Sequence, residues 1–279
     1  MSLGIVIKGP EGLVLAADSR ITLGAQAMTP QGNKQIPVYF DNATKLLSFS
    51  KPNTTIGVVT YGQAVIGQQT PRTAASFLPE FEASLPKERL SVENFAKEIS
   101  KFFLKQWRSS MPPDNAIPKI PDMVFVVAGF NADEVYGEVY VVEIPSKPNP
   151  DGRTKQNEFG ITLGGQHDIV SKLMMGYDVR LPDALKKGLN LSPEQLTKFD
   201  TLIKQFQLAI PLAVLALQDC VDLACFLIRT TMDVQKLTVG IRGVGGAIDV
   251  AIIKRNQDIR FMQRKQEHGE SIKEVKDAK

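Results

Sequence analysis

The strongest constraint on this chain is that its first strands come in pairs around turns, before any helical periodicity begins. Residues 3–8 and 13–17 are apolar or β-branched runs on either side of Gly9-Pro10-Glu11-Gly12, where glycine and proline supply turn dihedrals. Residues 44–50 and 55–61 repeat the plan around Lys51-Pro52-Asn53-Thr54, and residues 26–37 form a polar excursion between the two hairpins. Helical spacing follows over 64–83, and again over 91–107 with Ser91 as N-cap. The four prolines of 108–121 require a loop. Strands are expected at 123–130 and 137–144, and a loop over 145–159. Ser192-Pro193-Glu194-Gln195 has the cap, N1 proline and N3 glutamine of a helix start. Helix then runs towards Asp233 with a break at Pro211, and strands at 237–239 and 247–253 close the body.

Strands bunched in pairs and helices in blocks argue for an α+β protein with antiparallel sheets, not an alternating parallel fold. The expected packing is a four-layer αββα sandwich, two antiparallel sheets between helical layers. Length supports one large domain. Of 33 Lys+Arg and 30 Asp+Glu, eight and five lie in residues 254–279, so the body is balanced. We therefore read residues 1–255 as the domain and 256–279 as a charged tail.

Several function classes lose support. A balanced body carries no bulk basic signature for nucleic acid or membrane. The most apolar stretch, 209–228, is interrupted by Pro211, Gln218, Asp219 and Asp222, so it reads as a buried helix and not a span. Two cysteines, Cys220 and Cys225, make no disulfide framework, and no apolar signal region opens the chain, which together imply a cytoplasmic, reducing environment. Gly240-Ile241-Arg242-Gly243-Val244-Gly245-Gly246 precedes a strand and lacks the Gly-Lys-Ser/Thr ending of a phosphate loop. It reads as a turn. His167 and His268 have no ligand-spaced partners, so no metal and no cofactor is expected.

Register carries the chemistry. With the first turn centred between residues 10 and 11, Ser2 falls opposite Ser19, beside Asp18 and Arg20. With the second centred near 52.5, Lys45 falls opposite Thr60 and near Gly62. If both hairpins share one sheet, Ser2, Asp18, Arg20, Lys45 and the Gly62 backbone converge. A serine hydroxyl needs a base, and a free α-amine on the same residue, with a reference pKa of about 7.7–8.0, can be that base. This requires removal of Met1, which a residue as small as Ser2 permits. Lys45 would favour the neutral amine, Asp18 would hold Lys45, and a backbone N–H near Gly62 would face the oxyanion.

Residues 12–20, Gly-Leu-Val-Leu-Ala-Ala-Asp-Ser-Arg, resemble the "G-x-V-x-A-A-D-S-R" segment of proteasome β-type subunits. Thr44-Lys45-Leu46, the run from Ile56 to Gly62, and the run from Gly245 to Ile253 are similar to other strands of that family. The resemblance spans most of residues 2–255. It implies an N-terminal nucleophile hydrolase, usually ring-assembled, that cleaves peptides, with Ser2, Asp18 and Lys45 at the catalytic positions and Gly62 at the oxyanion hole. Arg20 and Ser19 would be supporting residues. The family's late Asp-x-x-Ser maps onto Gln235-Lys236-Leu237-Thr238, which implies a catalytic role for Thr238 with Asp233 in place of the aspartate. The family's Gly-Ser-Gly appears as Leu163-Gly164-Gly165, and Ser stands where the family has Thr. These departures are similar to a divergent prokaryotic branch such as the Anbu-type homologues.

The expectation is a peptidase acting on peptides or unfolded proteins from a homo-oligomeric ring or ring-like stack. The alternatives are a non-catalytic assembly subunit and a small-amide amidohydrolase.

Overall fold

A computed structural model describes residues 2–29, 32–113, 120–154 and 157–266. Met1, His268 and the rest of 267–279 lie outside the described residues. The first hairpin is β1 (Leu3–Gly9) and β2 (Gly12–Asp18). Gly4 pairs with Ala17 and Gly9 with Gly12, so the register is the one that places Ser2 opposite Ser19. Both strands are buried along their whole length, which is why they read as continuous apolar runs instead of alternating ones.

The excursion that follows is itself a hairpin, β3 (Ile21–Thr29) with β4 (Gly32–Phe40). Its sequence is polar because it forms a two-stranded sheet apart from the main ones. Next come β5 (Leu46–Ser48), β6 (Ile56–Gly62), and the short pair β7 (Val65–Ile66) and β8 (Arg72–Thr73). The helix expected from residue 64 is therefore reduced to a 3-10 turn (Ala75–Phe77) and α1 (Leu78–Ser84). Gly67 at φ +108° and Pro71 interrupt the earlier part. α2 (Val92–Ser110) begins at the Ser91 cap, whose hydroxyl accepts from Asn94 N.

β9 (Met123–Gly129) and β10 (Glu138–Ile144) form the expected pair, and β11 (Lys147–Gly152) adds a strand inside the stretch expected as loop. After β12 (Gly160–Gly165) come α3 (Asp168–Met175), α4 (Leu181–Leu189) and α5 (Pro193–Ile203), the last opened by the complete Ser192–Gln195 capping box. The chain leaves helix after Phe206, ahead of Pro211, and α6 (Leu217–Leu237) follows. α6 runs through the stretch expected to begin a strand at 237. β13 (Ile248–Ile253) and β14 (Arg260–Gln263) complete the chain's described elements.

Two five-stranded antiparallel sheets result, ordered β12-β1-β2-β13-β14 and β11-β10-β9-β6-β5. The two early hairpins thus lie in different sheets, not in one. Strand alternation divides the apolar side chains into three cores. Leu3, Ile5 and Ile7 face Ala224, Leu227 and Ile228 of α6, whereas Val6 on the same strand packs with Val59 and Val126 between the sheets. On the far side of the second sheet, Phe95 and Phe103 of α2 meet Phe49, Phe81 and Phe125. No helix among the described residues is long and apolar enough to cross a membrane.

Candidate active site

Asp18 ends β2 inside the protein, 1% exposed, and its carboxylate is used on both oxygens. Oδ1 accepts from Leu3 N at 3.0 Å and from Lys45 Nζ at 2.7 Å. Oδ2 accepts from Gly245 N at 2.9 Å and Arg20 N at 3.2 Å. A carboxylate so surrounded by donors is fixed in place. Lys45 is 4% exposed and also donates to the Arg20 carbonyl. Burial pushes its ammonium below the ordinary lysine value against the pull of Asp18, and the charges of Lys265 and Arg20 act in the same downward direction.

Ser2, 3% exposed, lies beside these groups. It lines a small cleft with Thr44, Lys45, Thr60, Tyr61, Gly62 and Gln63. Its carbonyl accepts from Gln166 N at 2.7 Å. Gly165, at φ +85°, approaches so closely that a Cβ there would stand 1.8 Å from the Ser2 oxygen. The double glycine at the end of β12 is thus the local signal for the contact that seats Ser2.

Gly62 closes the other wall. The Thr60 amide bonds to the Lys45 carbonyl at 2.9 Å, and alternate amides of a strand face the same side. The Gly62 N–H therefore faces that side too, past the end of the pairing with β5 and into the cleft's edge. Its φ of +84° leaves no room for a side chain, since a Cβ would sit 2.1 Å from the Asp122 carbonyl oxygen. Tyr61 next to it has its hydroxyl pushed up to about 12 by burial.

Convergence of Ser2, Asp18, Lys45 and Gly62 is therefore found, but across two sheets packed face to face. β1 and β2 bring Ser2 and Asp18; the approach to β5 and the end of β6 bring Lys45 and Gly62. Arg20 stands behind them and not in the cleft. Its guanidinium grips Asp41 at 2.5 and 2.8 Å, donates to the Arg242 carbonyl, and lies against Gly245. Ser19 is fully buried and donates to the Ala247 carbonyl at 2.8 Å.

Thr238 and Asp233 are not brought to the cleft. Thr238 is exposed at the end of α6, where its hydroxyl donates to Val234 O, and Asp233 pairs with Lys236 at 2.9 Å on the surface. The cause is that α6 continues to Leu237, which turns this segment outward. In their place the loop after α6 supplies Gly245 N to Asp18, and Gln235 of α6 bonds to Gln166 and to Val244 N. The Gly245 contact is illegible in sequence, because a main-chain donor carries no residue-type signal. Among the described residues no group of three His, Cys, Asp or Glu side chains is arranged to hold a metal.

No protein-family model and no curated protein matches the chain. Two packed antiparallel sheets, with Ser2 just ahead of the first strand lining the cleft, make a fold similar to that of the proteasome-like Anbu proteins. Anbu proteins are among the solved structures it resembles. The Gly-1 mutant of Anbu from Hyphomicrobium sp. strain MC1 aligns with TM-score 0.51 at 12% identity, over 94% of this chain and 88% of that one. The helical assembly of the Anbu complex from Pseudomonas aeruginosa aligns with TM-score 0.52 at 14% identity, over 93% and 84%. At these identities the likeness is one of fold.

Proposed function

We propose that the protein is a peptidase whose nucleophile is Ser2, exposed as the N-terminal residue by removal of Met1, on a four-layer αββα sandwich. The supporting observation is the buried Lys45–Asp18 pair at the cleft that Ser2 lines. With Met1 gone, the Ser2 amine takes the proton from Oγ as Oγ adds to the scissile carbonyl. The cationic Lys45 disfavours a second positive charge beside it, and so keeps that amine neutral and basic near neutral pH. The oxyanion receives the Gly62 N–H, a contact worth about 3 kcal/mol in comparable sites. Collapse expels the amine product, which takes its proton from the Ser2 ammonium, and leaves an ester on Oγ. Water then attacks that ester with the same amine as base.

The reading extends to assembly. One Anbu neighbour is a helical assembly, and we infer that this chain forms a homo-oligomer acting on peptides or unfolded proteins. The decisive experiment combines intact mass with a β-lactone or epoxyketone probe. Loss of Met1, a single adduct on Ser2, and peptide hydrolysis abolished by Ser2→Ala are expected. A protein with a free Ser2 amine that neither forms the adduct nor cleaves peptides overturns the proposal and leaves the assembly role.

A further inference from the structure

The segment carrying Lys45 into the cleft, residues 42–45, has no sheet partners of its own. Three main-chain bonds hold it. Ala43 N donates to the Ser19 carbonyl at 2.9 Å, Thr60 N donates to the Lys45 carbonyl at 2.9 Å, and the Ala43 carbonyl accepts from Lys265 Nζ at 3.0 Å. Lys265 belongs to the stretch after β14 that reads in sequence as solvated charge. Its side chain is nevertheless largely buried, 16% exposed, and it is tied twice to Asp249, itself buried on β13. Nζ reaches Asp249 Oδ2 at 2.7 Å and its own backbone N–H reaches Oδ1 at 2.9 Å. One carboxylate thus fixes both ends of the lysine and aims its ammonium at Ala43. Ala43 and Thr44 line the same cleft as Ser2.

We propose that Lys265 is a positioning residue for this site: held by Asp249, it clamps the Ala43 carbonyl and so sets where the chain delivers Lys45. The inference rests on the reading of Ser2 and Lys45 given above for its catalytic consequence, and on geometry alone for the clamp. A charged donor on a carbonyl in a partly buried position is a strong hydrogen bond, and an unpaired loop has few others to replace it.

The test uses the full chain with Lys265→Met, Lys265→Arg, and the double variant Asp249→Asn/Lys265→Met. The double variant matters because Lys265→Met alone leaves the Asp249 charge buried and unpaired, which can unfold the protein by itself. Two readouts are taken: hydrogen exchange at the amides of residues 43–46 and of Thr60, and the rate and affinity of β-lactone reaction at Ser2. In the double variant, amide exchange at these positions should rise about tenfold, and the maximal rate of Ser2 acylation should fall about tenfold with probe affinity unchanged. Exchange across α2 should stay as in the parent, and Lys265→Arg should restore both readouts. Unchanged exchange at 43–46 and Thr60 overturns the clamp, whatever the activity. Faster exchange with an unchanged acylation rate overturns the catalytic consequence. Failure of the parent protein to react at Ser2 sinks the peptidase reading instead, and the exchange measurement still decides the clamp.

Discussion

Lys45 Nζ stands 2.7 Å from Asp18 Oδ1 with both side chains withdrawn from solvent, and the pair bridges the two sheets. A buried ion pair is at best weakly stabilising compared with apolar packing, but it is strongly destabilising to break. Asp18 also orders three backbone amides, Leu3, Arg20 and Gly245, that belong to β1, the link after β2 and the loop after α6. The carboxylate therefore couples the seat of Ser2, the lysine and the late loop.

Asp18→Asn keeps the shape and removes the charge. It leaves Lys45 buried without its counter-ion, and should lower the unfolding free energy by about 3 kcal/mol. Ser2 acylation should fall by at least about a hundredfold. Urea midpoints and β-lactone rates on the same preparation check both; a variant as stable as the parent would mean the pair is relaxed by water in solution.

Arg20 and Asp41 supply a pH signature. The Arg20 hydrogen bond holds the Asp41 carboxyl below its ordinary value, against a smaller opposing effect of burial. A depressed carboxyl stabilises the fold above its unfolded pKa of about 3.9, and that stabilisation is lost as pH falls below it. The stability gap between parent and Asp41→Asn should therefore shrink between about pH 5 and about pH 2.5. It should not exceed about 1 kcal/mol, because Asp41 is nearly half exposed. Denaturant titrations at stepped pH measure it, and a gap that widens on acidification contradicts the assignment.

Gly62→Ala tests the oxyanion wall. The left-handed backbone and the Asp122 carbonyl leave the methyl no space, so the loop must shift, at about 1–3 kcal/mol. The N–H moves with it. Ser2 acylation should fall more steeply than stability does, as comparison of rates with thermal midpoints would reveal. Equal reactivity in a folded Gly62→Ala protein would remove this amide from the mechanism.

How much of this was legible in the sequence depends on what each contact is made of. The registers of both early hairpins followed from their turns, because one residue of slip would expose a buried face. That gave Ser2 opposite Ser19 and Lys45 opposite Thr60 correctly. Which sheet each hairpin joined did not follow, since long-range pairing such as β2 with β13 depends on residues more than two hundred positions apart. Thr238 lies away from the cleft because α6 carries its helix past Asp233 to Leu237. Lys265 escaped because a charged residue among other charged residues looks solvated until Asp249 is placed beside it.

Gly164 and Tyr61 give the last test, one of packing instead of chemistry. The Tyr61 ring crosses from β6 to the face of the other sheet and lies against two glycines. A Cβ at Gly164 would meet its Cζ at 1.9 Å, and one at Gly4 would meet its Cδ1 at 3.2 Å. Gly164 has no positive φ, so a side chain there is refused by the ring and not by the backbone. Gly164→Ala alone should cost about 1–3 kcal/mol from overpacking. Tyr61→Ala alone should cost about 3 kcal/mol from the cavity it leaves. In the Tyr61→Ala background the added methyl has space, so Gly164→Ala should become neutral or slightly stabilising. The two effects must then be non-additive by about 1–3 kcal/mol in a double-mutant cycle read from urea unfolding. Strict additivity would show that the ring does not occupy the space over Gly164, and that the tyrosine does not bridge the sheets beside the cleft.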